Sequence, residues 1–329
     1  MLKALQHNTL LQIVFILIAV VALWLRAFVS PDGMEAEQYF SPIYGLLHRL
    51  LIGVPRLALA IGLLLMLAEG IWFNVILSNN KLTKVNWLMP ALMFVLAMSW
   101  SGGRQSLTPM LLAWLPLIAG TSQLLSTGNT NLEVDRIFNA AFLVGVAALC
   151  YLPIATYVVP FLFLFVTYKS YKWRDIIVAI MGLSAPILLL LVYAFLTDKL
   201  EYYWILIRHD IIDIKITFDT SNVVATVANV IFLLLLLWGF FSQLATIKDN
   251  TIQQRINTII LLLPFVATLL MLLYDKIFIV NTQYAALPFA LIASNLIATD
   301  RKKGWINEVA FALLFLTPII LQTHCFFHI

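Results

Sequence analysis

The chain has 329 residues, 62% of them apolar and only 11% charged, with a net charge of +4 and a mean hydropathy of +0.97. A soluble globular chain carries roughly a quarter charged residues, so the composition excludes that class and predicts an all-α, polytopic membrane protein folded as one membrane domain over 1–329. Its basic residues are scattered over short loops, which excludes a nucleic-acid-binding stripe, and its two cysteines, Cys150 and Cys325, imply no disulfide framework.

Apolar runs of about 17 to 23 residues fit helical membrane spans. The first runs to about Val29 after MLKALQHN, with Arg26 and Phe28 where a cleavable leader would carry small residues, so it reads as an uncleaved span. Further spans are predicted near 57–78, 87–100, 108–126, 138–152, 154–168, 176–197, 223–243, 257–274, 277–298 and 306–323, eleven in all. Two regions break the pattern. SGGRQSLTP (101–109) leaves a short span before it, and Pro153 and Pro160 split the apolar stretch 138–168 into a hairpin of short helices. Short helices at membrane depth require protein or a water-filled cavity to cover their ends.

Between the first two spans lies SPDGMEAEQYFSPIYGLLHRLLIGVPR (30–56). Three carboxylates, Asp32, Glu35 and Glu37, lead into a helix signature with Ser41 as N-cap, Pro42 at the first helical position, and Gly53 and Pro55 as the stop. Apolar residues at helical spacing oppose His48 and Arg49, the pattern of an amphipathic helix in the membrane interface. A second loop, 198–222, carries Tyr203, Trp204, Ile207 and Ile211 as an interfacial stripe, followed by a strand-like alternation in DIKITFD.

Lysine and arginine set the orientation. With the N-terminus inside, twelve fall on the inner face, including the clusters KSYKWR (169–174) and DRKK (300–303). Eight fall outside: Arg26, Arg49, Arg56, Arg104, Lys199, Arg208, Lys215 and Lys276. The N-terminus is thus expected in the cytoplasm and the C-terminus in the periplasm of a bacterial inner membrane.

The acidic trio has two readings. As a site, a carboxylate just outside the first span acts as general base toward an acceptor hydroxyl, or holds a divalent cation against a lipid-linked phosphate. His48, Arg49, Arg56, Arg104, Arg208 and His209 then supply substrate contacts. As plain loop chemistry, Asp32-Gly33 is a turn and the glutamates are solvated. Glu69 lies near mid-membrane in the second span, where a carboxylate is a functional-site hypothesis by default; the structural alternative is a protonated side chain hydrogen-bonded to a neighbouring helix. Asn281, Tyr284, Pro288 and Asn295 follow one helical line and predict a seam toward a cavity or a partner helix. His324 and His328 have metal-ligand spacing without a third ligand, so no metal is expected there, and the chain contains no nucleotide or hydrolase motif.

LTPMLLAWLPLI (107–118), FNAAFLVGVAALCYLP (138–153) and YKWRDIIVAIMGLSAPILLLLVYAFLTDKL (171–200) resemble an uncharacterised family of multi-pass inner-membrane proteins of Gram-negative bacteria. Some members of that family carry a carotene-monooxygenase label. Its iron chemistry needs several ligating histidines, and the five here are scattered. The layout of a first span, an acidic outer loop running into an interfacial helix, then many spans, is also similar to membrane glycosyltransferases that use polyprenyl-phosphate sugars. That resemblance implies a catalytic carboxylate among Asp32, Glu35 and Glu37, although Ala36 interrupts the paired-acid motif common in that superfamily. Three functions therefore stay open: a glycosyltransferase-like protein acting on a lipid-linked substrate at the outer face, a non-catalytic subunit of an envelope assembly, and a transporter centred on Glu69.

Overall fold

The computed structural model describes residues 9–29, 34, 41–83, 88–100, 106–125, 133–159, 161–162, 173–212, 223–247, 251–274, 280–298 and 304–327. The acidic trio, Arg104 and the DIKITFD alternation lie outside the described residues. The helices are α1 (Thr9–Val29), α2 (Pro42–Leu51), α3 (Pro55–Asn79), α4 (Met89–Met98), α5 (Pro109–Leu125) and α6 (Val134–Cys150). They continue as α7 (Trp173–Leu196), α8 (Leu200–Ile212), α9 (Val223–Thr246), α10 (Ile252–Tyr274), α11 (Ala286–Ala298) and α12 (Gly304–Phe327). Two 3-10 turns, Leu152–Tyr157 and Val280–Ala285, break the chain before α7 and before α11. Among the described residues there is no strand.

By length and composition, helices over Pro55–Asn79, Trp173–Leu196 and Thr226–Ala245 are each long and apolar enough to cross a membrane, and several shorter apolar helices accompany them. Large side chains of α1 and α7 such as Leu17, Val21, Leu188 and Val192 are exposed, as expected where a helix faces hydrocarbon rather than water.

The middle of the fold is α4. It has 10 residues, every one of them buried, and at about 1.5 Å per residue it spans only about half of a hydrocarbon core. It packs on α11, α3, α1 and α12. A helix this short leaves unsatisfied backbone groups at both ends in an apolar place. Neighbouring amides finish them: Leu88 N donates to Gln12 Oε1 of α1 at 3.0 Å, and Gln283 Nε2 of the second 3-10 turn donates to Met98 O at 3.2 Å. Asn295 Nδ2 of α11 donates to Leu82 O at 3.0 Å, in the connection leading into α4. The predicted polar line is thus a packing seam: Tyr284 shares a hydrogen bond with the Tyr151 hydroxyl, and its carbonyl accepts from Tyr157 Oη at 2.9 Å. The side chain of Asn281 lies outside the described residues.

On one flank α5, α6 and α7 pack in sequence order. Glycines let α6 and α7 approach: a Cβ on Gly182 would lie 2.7 Å from both the Ala141 Cβ and the Phe138 carbonyl oxygen, and one on Gly145 would lie 2.8 Å from the Leu183 carbonyl oxygen. The expected break at Pro153 is present as the 3-10 turn Leu152–Tyr157; residues 163–172, which would complete the hairpin, lie outside the described residues.

The interfacial helix forms over Pro42–Leu51 with Pro42 in its first turn, but the expected caps differ. Ser41 occupies the N-cap position without a side-chain cap hydrogen bond, and it is buried rather than turned back on the helix. Gly53 does not adopt a positive φ; the chain leaves α2 through a right-handed Ile52, and Pro55 opens α3 instead of ending α2.

Replacing Gln283 or Gln12 by leucine should unpair the Met98 carbonyl or the Leu88 N–H, at a cost of about 1–3 kcal/mol each. Thermal melting of the purified protein should show both losses, whereas Leu188→Ala on the exposed face of α7 should change stability by less than about 0.5 kcal/mol.

Candidate functional site

Two helices that the sequence assigns to loops, α2 and α8, pack over the C-terminal halves of α6 and α7 and line with them a cavity of about 680 Å³. Its floor is apolar, with Phe142, Val146 and Leu149 from α6 facing Leu189 and Leu190 from α7. Arg49 of α2 and Lys199, at the junction of α7 and α8, line it, together with the phenols of Tyr193, Tyr202 and Tyr203. Among the described residues no carboxylate lines this cavity, and neither Arg49 nor Lys199 forms an ion pair.

Local chain chemistry places both cations. Arg49 falls on the polar face of α2, whose Tyr44 and Gly45 are buried against the bundle. Tyr44 Oη donates to the Leu107 carbonyl at 3.3 Å, which fixes α2 to the start of α5. Lys199 is placed by the end of α7. Lys199 N donates to Ala194 O at 2.9 Å and Asp198 N to Phe195 O at 3.3 Å, the pairing of a Schellman turn. Asp198 takes the left-handed position with φ 52°, one that short polar side chains tolerate. The chain thereby reverses at once, and α8 returns along α7 with Tyr202, Tyr203 and Leu206 over the cavity.

Of the residues singled out in the sequence, Arg49 is in this cavity. His48 is half-buried beside the Tyr44 ring, at a centroid distance of 6.0 Å. Arg56 is exposed on the first turn of α3 and Arg208 is exposed on α8; neither lines the cavity. His209 falls within α8, with its side chain outside the described residues. Asp32, Glu35, Glu37 and Arg104 lie outside the described residues. Met34, which lies between Asp32 and Glu35 in the sequence, is buried in the main apolar core. Sequence reasoning missed Lys199, Tyr193 and Tyr202 as site residues. Their signal was the position of Lys199 among the outer cations, at the end of a long apolar helix.

Glu69 is 1% exposed in the middle of α3, and neither of its carboxyl oxygens has a hydrogen-bond partner. The expected bond to a neighbouring helix is therefore absent. Trp100 Nε1, Ser106 Oγ and Trp114 Nε1 are likewise buried without partners. Glu69 lines neither this cavity nor the one at the far end of α3. Among the described residues no group of three or more His, Cys, Asp or Glu side chains is arranged to hold a metal ion.

Because the Glu69 carboxyl is buried and unpartnered, replacing it with an apolar side chain of similar length removes a cost rather than a bond. Glu69→Met should melt at or above the wild-type temperature; a stability loss above about 1 kcal/mol would mean that the carboxyl holds the bundle together.

No protein-family model, no curated protein and no solved structure matches this chain.

Proposed function

We propose that the chain is an eleven-span inner-membrane protein that binds the phosphate of a polyprenyl-phosphate-linked substrate between α2 and α8, and acts there as a glycosyltransferase-like enzyme at the periplasmic face. The observation that carries this reading is the pairing of an apolar cavity floor with two cations that form no ion pair among the described residues, Arg49 of α2 and Lys199 at the junction of α7 and α8. An isoprenoid tail needs the first and a phosphate the second. Charge-assisted hydrogen bonds from a guanidinium and an ammonium suit a phosphate, and they strengthen where hydrocarbon excludes water.

The base comes from the acidic loop. Glu37 lies four residues before Ser41, which lines the cavity, and four extended residues reach at most about 14 Å. By the same measure Glu35, six residues from Ser41, reaches at most about 21 Å from it, and Asp32, nine residues away, about 32 Å. In the proposed step an acceptor hydroxyl attacks the anomeric carbon and gives its proton to the carboxylate. The bond from that carbon to the phosphate oxygen breaks, and the polyprenyl phosphate leaves with the electron pair, its charge held by Arg49 and Lys199. A divalent cation on the acidic loop would share that work.

The eleven-span topology is supported by how the charge pattern and the packing agree. The ends assigned inside, 79–81, 122–125 and 251–257, meet in one place, and the segments assigned outside, 41–49 and 199–206, meet in another. Reporter fusions should report Asn80 and Lys248 as cytoplasmic and Lys199 as periplasmic; the reverse assignment for Lys199 would refute the topology.

Arg49→Ala and Lys199→Ala should each weaken binding of a polyprenyl phosphate by roughly tenfold to a hundredfold, the loss of one hydrogen bond to a charged group. Among Asp32→Asn, Glu35→Gln and Glu37→Gln, one should lower transfer by on the order of a hundredfold to ten-thousandfold while the protein stays folded; Glu35, in the middle of the acidic run, is the first choice. If all three variants fully complement a deletion strain, the enzyme reading fails and a non-catalytic envelope subunit takes its place.

A further inference from the structure

At the opposite end of α3 lies a second cavity of different chemistry. α3 has 25 residues, about 37 Å at helical rise, so its two ends fall on opposite faces of a bilayer. This cavity, about 790 Å³, is walled by Trp72, Ile76 and Asn79 from one face of α3, by the last turn of α5 with Ser122 and Gln123, and by the start of α10 with Thr251, Gln254 and Asn257. Eight of the twelve lining residues are polar, and all of these but Lys81 are uncharged. Lys81 is the lining cation, and among the described residues no carboxylate lines the cavity.

The amides form a braced frame. Asn257 Nδ2 donates to Asn80 Oδ1 at 3.4 Å, Asn80 Nδ2 to Ile76 O at 2.8 Å, and Gln254 Nε2 to the Lys81 carbonyl at 3.2 Å. Thr251 and Gln254 cap one another at the start of α10, with Thr251 N on Gln254 Oε1 at 3.2 Å and Gln254 N on Thr251 Oγ1 at 3.4 Å. The frame holds the walls fixed, and among the described residues it presents one full positive charge, that of Lys81.

Lys81 itself is an outlier. Leu82 N donates to Leu77 O and Lys81 N to Ser78 O, each at 3.0 Å, so α3 ends in a Schellman turn with Lys81 in its left-handed position at φ 53°. Glycine normally takes that position, and a lysine there is strained by its Cβ. Unlike the asparagine or aspartate that such a position tolerates, lysine has no local side-chain bond to offset the strain. Strain held at the lip of a cavity points to a use for the side chain.

We infer that this cavity binds a sugar carrying a single negative charge. Each sugar hydroxyl is both donor and acceptor, and a primary amide presents both in one plane. The half-exposed Trp72 indole offers a flat apolar wall for the C–H face of a pyranose ring, and Lys81 matches one anionic group. Among the described residues, a dianion or a nucleotide would find one lining cation, and a metal ion no lining carboxylate. The inference stands apart from the lipid-phosphate reading, since no residue is shared between the two cavities.

The test is calorimetric titration of the purified full chain in detergent with a panel of hexuronates (glucuronate, galacturonate and mannuronate), a neutral methyl glycoside and inorganic phosphate. At least one hexuronate should bind saturably, the neutral glycoside at least tenfold more weakly, and phosphate alone not at all. Lys81→Gly relieves the left-handed strain, so it should melt at or above wild type while weakening the hexuronate at least tenfold and the neutral glycoside hardly at all. Trp72→Leu should weaken both, and Arg49→Ala neither. Absence of saturable binding by every hexuronate, equally tight binding of phosphate, or hexuronate binding untouched by Lys81→Gly and Trp72→Leu would each overturn the inference.

Discussion

A ten-residue helix buried on every side must have its end groups completed by other parts of the chain, and the architecture around Met89–Met98 answers that constraint. Gln12 and Gln283, 271 positions apart in the chain, reach the two ends of α4 from α1 and from the turn before α11. Each amide fixes the depth of its own segment against α4. α1, α3, α11 and α12 then have one register in which apolar side chains meet across the core. The same short length leaves Ser99 buried at the end of α4, where it accepts from Trp24 Nε1 at 3.1 Å and joins α1 to the seam.

The flank that carries the first cavity shares this core: Trp114 of α5, Ile137 and Ala140 of α6 and Ala179 of α7 are buried in it. α5, α6 and α7 extend away from α4 in sequence order, held close by Gly145 and Gly182. α7 consequently leaves most of its apolar surface exposed. The cavity under α2 and α8 therefore sits at the exposed apolar margin of the bundle, the position that the proposed lipid-linked substrate requires. The amide-framed cavity lies instead at the junction of α3, α5 and α10. Glu69 lies in the middle of α3 and lines neither of these two cavities.

Much of the fold was legible in the sequence, for identifiable reasons. Long apolar runs marked α3, α7 and α9, the interruption at 101–109 marked α4 as short, and Pro153 marked the break after α6. The interfacial helix was legible from Pro42 and the spacing of its leucines, and its Arg49 proved to line a cavity. Other features depend on partners distant in sequence. Nothing local to Gln12 or Gln283 tells that each completes the same helix, and Lys199 joins Arg49 across 150 positions. The turns that end α3 and α7 were hidden for a different reason: the left-handed position usually announces itself as glycine, and here Lys81 and Asp198 occupy it. For Glu69 the sequence indicated burial correctly, but the absence of a partner is a property of three packed helices rather than of one.

The central claim is that an isoprenoid phosphate lies between α2 and α8 with its tail against α6 and α7. Photo-crosslinking tests it most directly: the purified protein is loaded with a polyprenyl phosphate carrying a diazirine in its first isoprene units, and adducts are mapped by mass spectrometry. The account predicts adducts concentrated on the cavity floor, at Phe142, Val146, Leu149, Leu189 and Leu190, that unlabelled polyprenyl phosphate competes away. Adducts spread over the exposed faces of α1 and α7 without competition would contradict it.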